Sequence, residues 1–398
     1  MMLPDAVESD VRRVRLTQSA AYFAAFVALG MFSAVLGPTL PGLAANTRTD
    51  LSRISILFAA RSAGYMMGSF LGGRLYDRLP GHRVIAIGLG LMALVLFAAP
   101  TVPLLTVLAV VLLLGGIAQG TVDVCGNTLL VWVQRDNIGP FMNALHLFWG
   151  IGAFLSPIII AQAMLMSGDI TWAYWALALL MLPPMIWIWS LPSPAPLVSA
   201  NAGKQMVARP LLVAAIAGFF VVYVGAEVSF AGWIYTYAAA SGMATAATAA
   251  YLTSVFWGAL TLGRLLAIGI AMRVSSRAIL FTDLIGCLIG IGAMLLWPNS
   301  QIVLWGGTFL VGLGMASVFP MMLSFAARRM PVTGVVTAWF LVGSSTGAML
   351  MPWIIGQLFV PVGPEVTLIV IGLNLLVALG VFTALTLRTG KTDAAAAA

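Results

Sequence analysis

Long apolar runs, separated by short polar turns, are the feature that most constrains this chain. Only 8% of its 398 residues are charged and 61% are hydrophobic, whereas a soluble domain carries roughly 25% charged residues. A helix needs about 20 apolar residues to cross a bilayer core about 30 Å thick. Twelve runs approach or exceed this length: 18–43, 51–73, 83–101, 103–132, 138–165, 171–190, 210–240, 245–271, 277–297, 301–325, 332–358 and 365–387. The sequence therefore predicts an all-α membrane protein with twelve transmembrane helices.

Lysine and arginine are distributed unevenly between the two sides of this arrangement. Fifteen of the nineteen basic residues fall on the side that holds both termini, and only Arg48 and Arg53 lie in loops on the other side. Basic loops stay in the cytoplasm, so both termini are expected to be cytoplasmic, in the inner (plasma) membrane of the cell. The net charge of +7 is thus explained by topology, and we expect no nucleic-acid partner.

A polar, proline-rich interval divides the chain near its middle, and the two parts resemble each other. The segment GAFLSPIIIAQ at 152–162 recurs as GAMLMPWIIGQ at 347–357, an offset of 195 residues. Two homologous six-helix halves indicate a transporter with its site between them. The expected divisions are a cytoplasmic tail 1–17, a first half 18–190, a cytoplasmic linker 191–209, a second half 210–387 and a cytoplasmic tail 388–398.

The loop after the second run reads GGRLYDRLPGHR, at 72–83. It resembles the signature of the major facilitator superfamily, a Gly-x-x-x-Asp-Arg run followed by glycine and basic residues, although Pro80 replaces the usual second glycine. The resemblance implies two pseudo-symmetric six-helix halves that work by alternating access. We expect Gly73 to allow close helix packing, and Asp77 with the arginines to latch the cytoplasmic ends of the two halves. The matching residues are Gly73, Asp77, Arg78, Gly81 and Arg83.

Four further segments resemble a narrower branch, that of fucose permease and the sodium-dependent glucose transporter-like proteins. They are GTVDVCGN at 120–127, MNALHLFWGIGAFLSP at 142–157, GAEVSFAGWIYTY at 225–237 and FPMMLSF at 319–325. In that branch the acid of the fourth span takes part in cation coupling or sugar binding, a role that would fall on Asp123. Polar residues of the fifth span would correspond to Asn143 and His146. Unlike fucose permease-like proteins, the chain has no acid in its first span.

Asp123 is the only charged residue among residues 84–134. A charge near the bilayer centre costs roughly 2.5–3.5 kcal/mol, and acids there are functional by default. Gln119 and Asn127, four residues to either side, share one helix face with Asp123. We predict that Asp123 couples a cation to transport. The alternative is a structural ion pair with Arg61, the only basic residue at similar depth in the first half.

Glu227 is a second acid inside a span, and it lies between Gly225 and Gly232. These glycines are expected to loosen the seventh helix where it must bend. Glu227 is predicted to be a second cation ligand or to hydrogen-bond a hydroxylated substrate, and the alternative is a carboxylate that caps unwound backbone groups. Arg264, near the cytoplasmic end of its run, is expected to belong to a gate.

Polar and aromatic side chains around these acids are typical of a sugar site, because sugars present apolar C–H faces as well as hydroxyls. Asn143, His146 and Trp149 are spaced by three residues and share one helix face. The alternatives are an interhelical hydrogen bond for His146 and membrane-interface positions for the aromatic residues. The predicted substrate-binding residues are Gln119, Asn127, Asn143, His146, Trp149, Trp233, Tyr237 and Trp257.

Together these patterns predict a secondary active transporter of a small hydroxylated solute, with a monosaccharide preferred, driven by cation symport. A proton is preferred to sodium, because a lone acid is enough for a protonation cycle whereas a sodium site needs several oxygens. Sodium-coupled uptake and export of drugs or amphiphilic metabolites stay open as alternatives. No catalytic constellation, metal cluster or phosphate loop is visible in the sequence. We therefore expect no enzyme, no cofactor and no metal, and a monomer in the lipid bilayer.

Overall fold

The computed structural model of the protein describes residues 4–75, 79–135, 138–195 and 209–396. Within those ranges the regular structure is helical. Twelve spans are long and apolar enough to cross a membrane, which confirms the predicted number. The helices are α1 (Pro4–Ala34), α2 (Leu36–Asn46), α3 (Leu51–Ile54), α4 (Ile56–Leu75), α5 (Gly81–Ala98), α6 (Leu105–Gln134), α7 (Ile138–Ser167), α8 (Ile170–Ser190), α9 (Pro210–Ala240), α10 (Ala246–Ala271), α11 (Ser276–Leu296), α12 (Gln301–Met315), α13 (Val318–Ala327), α14 (Gly334–Val362) and α15 (Val366–Ala396).

Several helices begin at a hydroxyl or carboxylate side chain in the turns between spans. The first N–H groups of a helix have no partner within the helix, and such a side chain accepts a hydrogen bond from one of them. Thr245 caps α10 in this way, Ser275 caps α11, Ser300 caps α12 and Thr333 caps α14. The polar turns therefore set where the apolar helices start.

The chain forms two compact units. The first unit contains Met1–Thr49 and Ala63–Ala200, and the second contains Asp50–Ser62 and Asn201–Ala398. The segment Asp50–Ser62, expected in the first half by sequence, packs within the second unit. There the Gln357 amide donates to the backbone oxygen of Ser52 at 2.8 Å and accepts from its hydroxyl at 2.9 Å.

The sequence repeat corresponds to the same helix contact in each unit. A Cβ built on Gly152 would lie 1.9 Å from the backbone oxygen of Val27, and one built on Gly347 would lie 1.9 Å from that of Val221. The fifth span thus lies directly on the backbone of the first, as the eleventh lies on the seventh. Only a residue without a side chain permits this approach.

The seventh span is one continuous helix, α9, so the prediction that its glycines loosen it is wrong. Both glycines serve close packing instead: a Cβ on Gly225 would lie 2.5 Å from Met351, and one on Gly232 would lie 2.7 Å from the Phe58 ring. The tenth span is interrupted, because α12 ends at Met315 and α13 begins at Val318.

Close packing of the second span also involves different glycines from the one predicted. A Cβ on Gly68 would lie 2.0 Å from the backbone oxygen of Ile117, whereas one on Gly73 would meet no described atom within 4 Å. The packing role of Gly73 stays a prediction. Asp77 and Arg78 lie outside the described residues, and Arg83 is exposed. The latch stays a prediction.

Candidate functional site

Asp123 is the centre of a polar cluster in the first unit, formed by α4 and α6. The Tyr65 hydroxyl donates to Asp123 Oδ2 at 2.5 Å, and the Asn127 amide donates to Asp123 Oδ1 at 2.9 Å. Asn127 lies one helical turn after Asp123, as its spacing predicted. Tyr65 was not predicted, because its sequence position gives no sign that α4 would present it to α6.

The partners of Asp123 both act as donors. A phenol has one hydrogen to donate, an amide N–H can only donate, and an ionised carboxylate can only accept. Each carboxylate oxygen of Asp123 therefore receives a hydrogen bond that suits the charged form. These two hydrogen bonds offset part of the cost of burying a charge at Asp123.

Gln119 lies one turn before Asp123 on α6 and is 7% exposed. Its Nε2 donates to the Ser33 hydroxyl at 3.0 Å, but its Oε1 has no hydrogen-bond partner among the described residues. Buried polar atoms are nearly always paired. This oxygen is therefore available to a ligand that brings a donor.

Asn143, His146 and Trp149 lie on α7, also in the first unit. Asn143 and His146 are exposed and Trp149 is half-buried, and the His146 ring meets the edge of the Phe26 ring with centroids 6.3 Å apart. Their part in substrate binding stays a prediction. Arg61 belongs to the other unit, so its pairing with Asp123 also stays a prediction.

Glu227 lies in a second polar cluster, within the second unit. Its Oε2 is 2.7 Å from the hydroxyl of Tyr223, one turn earlier on α9, and the same hydroxyl is 2.6 Å from the backbone oxygen of Met315. Arg264 of α10 is close enough for its charge to interact with Glu227. The structure therefore brings together Glu227 and Arg264, two residues that the sequence assigned to separate roles.

Asp283 of α11 is a third acid of the spans, and it was missed in the sequence. It accepts a hydrogen bond from the hydroxyl of Ser317, at the interruption of the tenth span. Asp283 has the same sequence feature as Asp123, an isolated charge in a long apolar run. It is the only charged residue between Arg277 and Arg328.

The aromatic residues predicted to stack on a sugar are enclosed by protein. Trp233 is 0% exposed, Tyr237 1% and Trp257 6%. The Trp233 ring stacks on Phe359 with centroids 5.1 Å apart, and its Nε1 donates to the backbone oxygen of Pro352 at 3.0 Å. Trp233, Tyr237 and Trp257 are thus buried in this conformation, and their part in stacking on a sugar stays a prediction.

The fold and the two acid clusters define an integral, multi-pass membrane protein with polar sites inside its spans. Within the described residues, no group of three or more histidine, cysteine, aspartate or glutamate side chains could hold a metal ion. Residues 21–352 match the model of the Major Facilitator Superfamily. The chain belongs to this superfamily, and it is a transporter rather than an enzyme.

Relatives and solved structures agree with this assignment. The chain is 28% identical to sodium-dependent glucose transporter 1A of Mus musculus, over 84% of this chain and 88% of the relative. It is 30% identical to sodium-dependent glucose transporter 1 of Xenopus laevis, over 82% and 73%. The crystal structure of a D-xylose-proton symporter matches with a TM-score of 0.75 and 13% identity, over 92% of this chain and 97% of that chain. At that identity the structural match shows the fold alone.

Proposed function

We propose that the protein carries a monosaccharide across the membrane by cation symport, through alternating access of its two halves. The relatives named as glucose transporters support the substrate class, because they align with most of the chain. The observation that carries the proposal is the face of α6 formed by Gln119, Asp123 and Asn127. It combines a carboxylate, an amide and the unpaired, buried Gln119 oxygen, which a sugar hydroxyl would satisfy.

Asp123 is the proposed coupling acid. Both of its oxygens accept hydrogen bonds, and a charged acceptor makes stronger hydrogen bonds than a neutral one, so a proton on Asp123 would weaken the bonds from Tyr65 and Asn127. Protonated Asp123 therefore favours a different arrangement of its partners, and proton binding shifts the population of conformations.

Sodium is the second candidate for the coupling cation. The names of the relatives favour it, and the Asp123 carboxylate and the Gln119 oxygen are hard oxygen ligands of the kind that such a cation binds. In either case Asp123 is the group whose charge the cation neutralises. Glu227 is the alternative coupling acid.

The proposed setting is a monomer in the inner membrane with both termini in the cytoplasm. The distribution of arginine and lysine supports this orientation. The predicted latch of Asp77, Arg78 and Arg83 would then close the cytoplasmic ends, with the linker 191–209 on the same side.

Purified protein in proteoliposomes tests the proposal. We expect monosaccharide uptake above equilibrium when an inward proton gradient is imposed without sodium, and no such uptake when a protonophore is present. Uptake that requires a sodium gradient and is indifferent to the protonophore would make sodium the coupling ion. A protein that ignores all sugars in a panel but moves amphiphilic drugs outward would overturn the proposed function.

A further inference from the structure

The Tyr223 hydroxyl has two neighbours that both need its hydrogen. It lies 2.7 Å from Glu227 Oε2 and 2.6 Å from the Met315 backbone oxygen, which are both hydrogen-bonding distances. A phenol has one hydrogen, and a backbone carbonyl can only accept. If Glu227 is ionised, one of the two short contacts is therefore acceptor against acceptor.

A proton on Glu227 resolves this conflict. A protonated carboxyl group donates to the Tyr223 oxygen, and Tyr223 then donates to Met315, so that every contact contains one hydrogen. We propose that Glu227 is a proton-binding site, occupied in this structure, and that its proton holds the interruption of the tenth span in place through Tyr223. This role is distinct from cation coupling, and it does not depend on the substrate or the coupling ion.

The Met315 oxygen is a group that needs such a donor. Met315 is the last residue of α12, and the final carbonyl groups of a helix have no partner within the helix. Inside a membrane no bulk water replaces them. Met315 is also buried, at 1% exposed, so Tyr223 supplies the hydrogen bond that the interruption would otherwise lack.

The other side of the interruption is tied to an acid as well. Ser317 precedes α13 but its side chain does not cap that helix, and its hydroxyl donates to Asp283 instead. The two ends of the interruption are thus each held through a hydroxyl, Tyr223 on one side and Ser317 on the other. Of the two acids, only Glu227 must supply a hydrogen.

Loss of the Glu227 proton would redirect the Tyr223 hydrogen. A hydrogen bond to a carboxylate is stronger than one to a neutral carbonyl, so Tyr223 would donate to Glu227 and leave Met315 without a donor. The charged neighbour of Glu227 is Arg264 of α10. Cys287 of α11 is close enough for the charges of Glu227 and Asp283 to act on its thiol. The packed helices α13 and α14 contain no titratable residue.

Infrared difference spectroscopy of the purified protein tests whether Glu227 holds a proton. Glu227→Gln is the conservative variant, because its amide N–H replaces the donor. We expect the wild type minus Glu227→Gln spectrum at neutral pH to show the carbonyl band of a protonated carboxyl group. As a matched control, wild type minus Asp123→Asn is expected to show carboxylate bands instead. Carboxylate bands in the Glu227 difference would overturn the proposal, whether or not the protein transports a sugar.

Alkylation of Cys287 tests whether the hydroxyl holds the interruption. Its thiol is 0% exposed and donates to the Val311 oxygen of α12 at 3.6 Å. In a Cys125→Ala background, Tyr223→Phe should raise the rate of maleimide reaction on the order of tenfold, because a buried carbonyl loses its donor. Glu227→Gln should leave the rate unchanged. Equal rates in Tyr223→Phe and its parent would show that the hydroxyl does not hold the interruption.

Discussion

Asp123 in the first unit and Glu227 in the second each lie within hydrogen-bonding distance of a tyrosine hydroxyl. Around Asp123 the third group is an amide N–H of Asn127, which donates. Around Glu227 the third group is the Met315 backbone oxygen, which accepts a hydrogen bond from the same Tyr223 hydroxyl. The same pair of groups, an acid and a tyrosine, therefore suits a carboxylate at Asp123 and a carboxylic acid at Glu227. The third partner decides which form is satisfied.

This difference assigns the two acids to different parts of the transport cycle. In the proposed function, Asp123, whose hydrogen bonds suit a carboxylate, would accept the cation beside the unpaired Gln119 oxygen. An acid that must already hold a proton to satisfy its neighbours maintains the shape of a helix. Substitutions at the partners, rather than at the acids, test this distinction with the least disturbance.

Tyr223→Phe is expected to have the largest effect on stability. It removes the hydroxyl that bonds to both the Met315 oxygen and the Glu227 carboxyl, and a buried polar group that loses its partner costs about 1–3 kcal/mol. Thermal unfolding in detergent measures the loss. Tyr174→Phe is a matched control in the first unit, because Thr39 keeps its bond to the Val35 oxygen when the Tyr174 hydroxyl is removed. A loss no larger than in the control would remove the special role of Tyr223.

Tyr65→Phe is expected to change the pH dependence of uptake more than stability. Its hydroxyl stabilises the ionised form of Asp123, so its removal should let the site bind a proton at higher pH. A hydrogen bond to a charged group is worth about 1.5–3 kcal/mol, so the pH of half-maximal uptake should rise by about one to two units. Proton-driven uptake across a pH series measures this. An unchanged profile, with expression like that of the wild type, would show that Asp123 does not bind the coupling proton.

Asp283→Asn is expected to have the smallest effect. Its remaining carbonyl oxygen can still accept the hydrogen of Ser317, whereas Asp283→Ala removes the acceptor. The melting temperature should therefore be lower in Asp283→Ala than in Asp283→Asn by the equivalent of about 1 kcal/mol. A large loss in Asp283→Asn would mean that the charge of Asp283, and not its hydrogen bond, stabilises the second unit.

The twelve spans were predictable because the membrane requires each helix to present a long apolar run, whatever its neighbours are. Asp123 and Glu227 were identifiable for a related reason, since each is an isolated charge in such a run. Asp283 carried the same signal and was overlooked. The repeat between 152–162 and 347–357 also had a direct structural counterpart in the contacts of Gly152 and Gly347.

The partners of these acids were not predictable, because they depend on the rotation and register of packed helices. Tyr65 meets Asp123 only because α4 packs closely on α6 through glycines such as Gly68. The interruption of the tenth span falls at Ala316 and Ser317, which include neither proline nor glycine. Gly225 and Gly232 predicted a flexible seventh helix. In the structure they lie against neighbouring side chains at positions where a Cβ would not fit.

Sugar uptake against a gradient, paired with sugar counterflow in the same proteoliposomes, tests the central claim most directly. Asp123→Asn keeps the shape of the protonated acid but cannot change its charge. It should lose uphill uptake and retain counterflow, because exchange needs no net release of the cation. Glu227→Gln, which supplies its donor permanently, should retain both activities. Uphill uptake that survives in Asp123→Asn but is lost in Glu227→Gln would contradict the account and make Glu227 the coupling acid.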